Sequence, residues 1–199
     1  MNKVEINEEM KLSPHFTLGE LCKTSYHTTD GNIPSHVAIE NLKRICEGWL
    51  EDLRFSYNEL YGEGVRRQES GDRREGELGS AACYRRDARR REGVRSQESG
   101  DSRNDKEIPI IINSGYRSEE VNRKCGGAKG SNHLTGCAVD IHCYGPEQMI
   151  RMAGILLDIA DGTKREFDEL IQEKRGSTYW IHFAVRPKDN RRKILFDCR

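Results

Sequence analysis

His133 and Asp140 stand seven positions apart in SNHLTGCAVDIH (residues 131–142), with small or apolar residues filling most of the gap. Ala138 to Ile141 has a strand-like composition, and in a strand Asp140 and Ile141 point to opposite faces. The carboxylate can then line a cleft while its neighbour is buried. Gly136, in the loop before the strand, lets the chain fold the His133 imidazole back beside that carboxylate. A nitrogen and an oxygen donor brought together this way suit a borderline metal such as zinc, which requires a third protein ligand. His182 is the candidate: in Trp180-Ile181-His182-Phe183, alternation puts Trp180 and His182 on one face and the two apolar side chains on the other. A histidine in an apolar strand is more often a core or interface group, so His182 needs support from the wider pattern. His142 lies two residues beyond Asp140, on the same strand face, and is a lesser candidate. His15, His27 and His36 have no partner pattern and read as surface groups.

The elements that must position these residues flank a segment of different character. From Gly62 to Glu107 the chain is dense in Arg, Glu, Gly, Ser and Asp, and EGVRRQESGD at Glu63 recurs as EGVRSQESGD at Glu92. Such a composition cannot build a core. It reads as a low-complexity, disordered insertion with an internal repeat. An Arg-rich arm for RNA or an anionic wall polymer is the alternative, but 12 basic residues face 11 acidic ones there, which largely cancels the field such an arm needs. Lengthening a loop to this extent costs on the order of 2 kcal/mol in closure entropy, which a folded domain tolerates. Residues 1–61 and 108–199, about 150 in all, then make one domain of ordinary size.

Within that domain, Thr17-Leu18-Gly19-Glu20 has the form of a capping box and starts a short helix. Pro34 and Ser35 open a longer helix, to about Leu60, with Leu42, Ile45, Trp49 and Leu53 on one apolar stripe. IPIIIN (108–113) is a short apolar run expected to form a central strand buried on both faces. Ser118, Glu119 and Glu120 read as the cap and acidic first turn of a brief helix ending at Gly126-Gly127. Pro146 begins a third helix, with Met149, Met152, Ala153, Leu156 and Ile159 apolar, that stops near Gly162. FDELIQE, TYWIHFAVR and RKILFD read as strands, the last two joined by a turn at Pro187 to Asn190. Helices followed by strands predict an α+β domain, with N-terminal helices packed on a small antiparallel sheet.

Equal numbers of basic and acidic residues give no electrostatic case for a nucleic acid or membrane partner. The first residues lack the apolar core of a signal peptide, and no stretch is long and apolar enough to span a bilayer, so the protein is expected to be cytoplasmic as synthesised. Seven cysteines without CxxC spacing argue against a disulfide framework and a four-thiolate zinc knot; they read as mostly reduced.

SGYRS (114–118), Val121-Asn122, Gly126-Gly127, S-x-H-x-x-G-x-A-x-D (131–140), FD-x-L-I-x-E (167–173) and W-I-H (180–182) together resemble the M15 zinc peptidases. These are D-alanyl-D-alanine carboxypeptidases and phage endolysins that share the fold of the hedgehog signalling domain. FTLGEL and the long helix also look like the N-terminal part of short members. The resemblance implies zinc as cofactor, with His133, Asp140 and His182 as its ligands, Arg117 as a substrate-binding residue and Ser131 at the site edge. Many members place the general base three residues before the last histidine; here that residue is Tyr179, which cannot act as a carboxylate near neutral pH. The resemblance to hedgehog-like and short members makes Glu173 the catalytic base instead. The implied activity is hydrolysis of peptidoglycan stem peptides, of the D-Ala-D-Ala carboxypeptidase type. An endopeptidase of the phage endolysin type and a zinc-stabilised wall-binding module without catalysis are the alternatives. The expected partner is the peptidoglycan peptide, met by a monomer at the cell wall after release.

Overall fold

A computed structural model gives the fold of residues 7–62 and 107–198. Helix α1 (Leu18–Cys22) is capped by Thr17, whose Oγ1 accepts from the Glu20 N–H at 3.3 Å, as the Thr-x-x-Glu spacing predicts. Ser35 caps α2 (His36–Ile45) by accepting from the Ala38 N–H at 3.2 Å. The helix runs on through a π-turn, Cys46–Leu50, into α3 (Glu51–Tyr61). The long predicted helix is therefore present, and its stripe of Leu42, Ile45, Trp49 and Leu53 is buried throughout. The π-turn was not expected from the sequence. The Arg165 guanidinium bonds the Gly48 carbonyl within this turn and Asp52 Oδ2 at 2.5 Å, and lies over the Trp49 ring.

Asn58 clamps the chain where it resumes: its Oδ1 accepts from Ile108 N–H at 2.7 Å and its Nδ2 donates to Ile108 C=O at 3.0 Å. Arg54 pairs with Glu107 on the same helix face. The insertion expected over 62–107 lies outside the described residues except at these two ends.

The sheet has five strands in the order β1-β2-β4-β3-β5. They are β1 (Ile112–Ser114), β2 (Ala138–Cys143), β3 (Glu169–Arg175), β4 (Thr178–Ala184) and β5 (Lys193–Cys198). Between β1 and β2 lies α4 (Glu119–Lys124), capped by Ser118 as expected; between β2 and β3 lies α5 (Pro146–Thr163), with Pro at its first turn. The mixed helix-and-sheet class agrees with the sequence reading, and two strand details correct it. β1 is an edge strand paired only with β2, and the run leading into it alternates, Ile110 and Ile112 buried with Ile111 half-buried. One covered face, not two, is what this run serves. The sheet is also not wholly antiparallel. Both edges of β4 are taken by β2 and β3, so the chain leaving β4 passes over to the far side of β3, where β5 pairs with it in parallel. The Arg186–Asn190 turn exists, its ends joined by Arg186 N–H to Asn190 Oδ1 at 2.8 Å, but it makes a crossover and not a hairpin.

Alternation sorts the sheet residues into two sets. Val139, Ile141, Leu170, Ile181 and Phe183 point into the core, where Trp49 meets Phe183 edge-on with ring centroids 5.0 Å apart. Cys22, Cys46, Cys137 and Cys143 are buried free thiols. Asp140, His142, Glu169, Ile171, Glu173, Trp180 and His182 belong to the opposite face.

Candidate metal centre

The strand register brings two of the predicted ligands together. Asp140 on β2 lies directly opposite His182 on β4, and opposed residues of an antiparallel pair share a face with Cβ atoms about 5 Å apart. A one-residue slip of either strand would turn that strand's ligand into the core.

His133 is delivered by a 3₁₀ turn, Asn132–Thr135, with Ser131 Oγ accepting from the His133 N–H at 3.3 Å. Gly136 ends this turn with φ of +69°, and a Cβ there would stand 2.3 Å from the Ala38 carbonyl oxygen. Only glycine meets both demands. Gly115 plays a similar part on the other side, where a Cβ would lie 2.3 Å from Leu21 O. That close approach leaves the Gly115 carbonyl free to accept from His133 Nδ1 at 2.6 Å. A carbonyl only accepts, so Nδ1 carries the proton and the Nε2 lone pair faces Asp140.

The three donor atoms form a small triangle. His133 Nε2 is 3.2 Å from Asp140 Oδ1 and 3.1 Å from His182 Nδ1, and His182 Nδ1 is 3.0 Å from the same Oδ1. Tetrahedral zinc with bonds of about 2.0–2.1 Å holds its ligand atoms roughly 3.3–3.4 Å apart. The observed edges are a few tenths of an ångström shorter, and two imidazoles with one carboxylate are a fitting donor set for that ion. Among the described residues, this is the group of histidine, cysteine and carboxylate side chains able to hold a metal.

The electrostatics of the metal-free triangle follow from crowding at low dielectric. Burial would raise the Asp140 carboxyl, but His133, His182 and Arg117 hold it far below the usual range. Burial lowers His133, against the pull of Asp140. For His182 burial also works against charge, yet its bonds to Asp140 and Glu169 raise it to about 9. A cation in the triangle would replace the proton that otherwise reconciles these lone pairs.

The structure places the remaining predicted residues as follows. Arg117 pairs with Asp140 through Oδ2, the oxygen turned away from the histidines, and its Nε donates to Ser114 Oγ at 2.8 Å. Ser131 caps the turn that carries His133. Glu173 is on the ligand face of β3, half-buried, in a polar cleft with Lys174, Arg175, Trp180 and Asp197. Burial, then the nearby Asp140 charge, pushes its carboxyl upward. Tyr179 is three residues from His182 and therefore on the core side of β4, packed against the apolar cluster. His142 stays outside the triangle, with its ring edge-on to Tyr144 at 4.8 Å. His15 is exposed and bonded through Nδ1 to Glu51 at 2.7 Å.

Sequence reasoning missed Glu169 and Asp168. Glu169 Oε2 lies 3.5 Å from His182 Nε2 and accepts from Asn132 Nδ2 at 3.2 Å. Asp168, fully buried, accepts from Arg191 Nε at 2.8 Å and NH2 at 2.7 Å, and from Asn132 Nδ2 at 2.9 Å. The available signal was alternation: Glu169 is four residues before Glu173, hence on the same strand face.

A family model described as Peptidase M15 matches residues 88–167, a span that contains His133 and Asp140 and ends before Glu173 and His182. No curated protein matches the chain significantly. Over that span, 80 of the 199 residues, the chain is similar to M15 peptidases.

Proposed function

We propose that the chain is a zinc-dependent peptidase of peptidoglycan stem peptides, of the D-Ala-D-Ala carboxypeptidase type, with His133, Asp140 and His182 as the zinc ligands. The observation that carries this reading is the triangle of donor atoms with edges of 3.0–3.2 Å. Zinc, when held there, supplies Lewis acidity toward a scissile carbonyl and acidifies water. Glu173 takes a proton from the attacking water and returns it to the leaving amine as the carbon–nitrogen bond breaks. Its raised pKa and its place on the ligand face suit that work. Arg117 keeps the Asp140 carboxylate turned so that Oδ1 faces the histidines, and the fork of donors on the same guanidinium holds a substrate oxygen. Ser131 holds the His133 turn at the site edge.

Digestion of purified peptidoglycan with and without a chelator, with released products identified by mass, tests the reading. Chelator-sensitive release of D-alanine is expected. Chelator-sensitive cleavage between L-Ala and D-Glu would move the assignment to the endopeptidase type. Zinc binding with no release of amine would make the domain a wall-binding module, and release indifferent to chelator would refute a metal mechanism.

A further inference from the structure

We infer that Glu169 is a positioning residue for the metal centre, one carboxylate that orients both histidines; the inference rests on the zinc reading above. His182 turns Nδ1 into the donor triangle, which leaves Nε2 facing Glu169 Oε2 at 3.5 Å. The strand register explains the contact. Ile171 is opposite His182 and Glu169 is opposite Ala184, so Glu169 is a diagonal same-face neighbour within reach of a long side chain. The same oxygen accepts from Asn132 Nδ2 at 3.2 Å, and Asn132 immediately precedes His133 in the 3₁₀ turn. The carboxylate is itself held in place by Arg191 NH2 at 3.0 Å and Lys193 Nζ at 3.3 Å on Oε1.

A carboxylate at Nε2 keeps the proton on that nitrogen and presents the Nδ1 lone pair inward. The Gly115 carbonyl does the converse for His133, bonding Nδ1 and presenting Nε2. The two rings therefore offer opposite nitrogens to one point, each fixed by a partner behind it. Arg191 and Lys193 belong to the crossover and β5, so the C-terminal edge of the sheet is tied to the ligand set through Glu169.

Zinc affinity, measured by competition with a chromophoric chelator, and the visible spectrum of the cobalt-substituted protein are read for wild type, Glu169→Gln and Glu169→Ala, beside the melting temperature of each metal-free protein. Glu169→Ala is expected to weaken zinc binding about 10- to 100-fold and shift the cobalt bands. Glu169→Gln, whose amide oxygen still accepts from Nε2, is expected to fall between it and wild type, and being isosteric it decides the matter should the alanine variant not fold. Wild-type affinity and spectrum in the variants, with only the metal-free melting temperature lowered, would overturn the inference and leave Glu169 as a partner of Arg191 and Lys193 alone. A wild type that binds no zinc would overturn the metal reading and this inference with it.

Discussion

Neutralising Asp168 should destabilise the domain by an amount that shrinks as the pH falls. The carboxylate is fully buried at the start of β3, where burial alone would raise its pKa, yet the bidentate Arg191 contact and Asn132 hold it at about 2. An unfolded aspartate titrates near 3.9, so the folded state binds this proton less readily by roughly 2 pKa units, or about 2–3 kcal/mol. Because the folded pKa is the lower one, the contribution is complete above about pH 4–5, falls to about half near pH 3 and is gone below the folded value. Arg191 is half exposed and regains water when its partner is neutralised, so the loss should stay below the roughly 3–5 kcal/mol typical of a broken buried pair. Urea unfolding of metal-free wild type and Asp168→Asn at pH 7 and pH 3 measures this directly. The gap in unfolding free energy is expected to be about 2–3 kcal/mol at pH 7 and about half that at pH 3. A gap of the same size at both pH values would refute the argument, because it would mean that shape and not charge gives Asp168 its role.

Glu173→Gln should lower peptide hydrolysis by about 10²- to 10⁴-fold while leaving zinc content and melting temperature near wild type, which turnover assays and metal analysis together would check. Arg165→Ala removes the donor to Gly48 O and the bond to Asp52, and should cost about 1–3 kcal/mol in urea unfolding; an unchanged midpoint would show that the π-turn does not depend on it.

Local chemistry made much of the fold legible. Thr17, Ser35 and Ser118 cap the helices their spacing announces, and the Leu42–Leu53 stripe and the Pro146 helix appear where periodicity puts them. Alternation, a local property of each strand, placed Asp140 and His182 on a face, while their reading as ligands came from the resemblance to M15 peptidases. Their meeting point depends on register, which no single strand encodes. The same limit hid the parallel placement of β5, fixed by which edges of β4 were already occupied. It also hid the π-turn, where the Gly48 carbonyl is bonded by Arg165, 117 residues away. Glu169 could have been placed on the ligand face by counting from Glu173, but its contact with the unused nitrogen of His182 requires the neighbouring strand.

If His133, Asp140 and His182 share one zinc ion, the metal content of the purified protein reports it. After dialysis against dilute zinc, the wild-type chain should retain one zinc per molecule, and His133→Ala, Asp140→Ala and His182→Ala should each retain far less while remaining folded by circular dichroism. A wild type with no bound zinc, or variants that keep a full equivalent, would mean that these three side chains do not hold the ion.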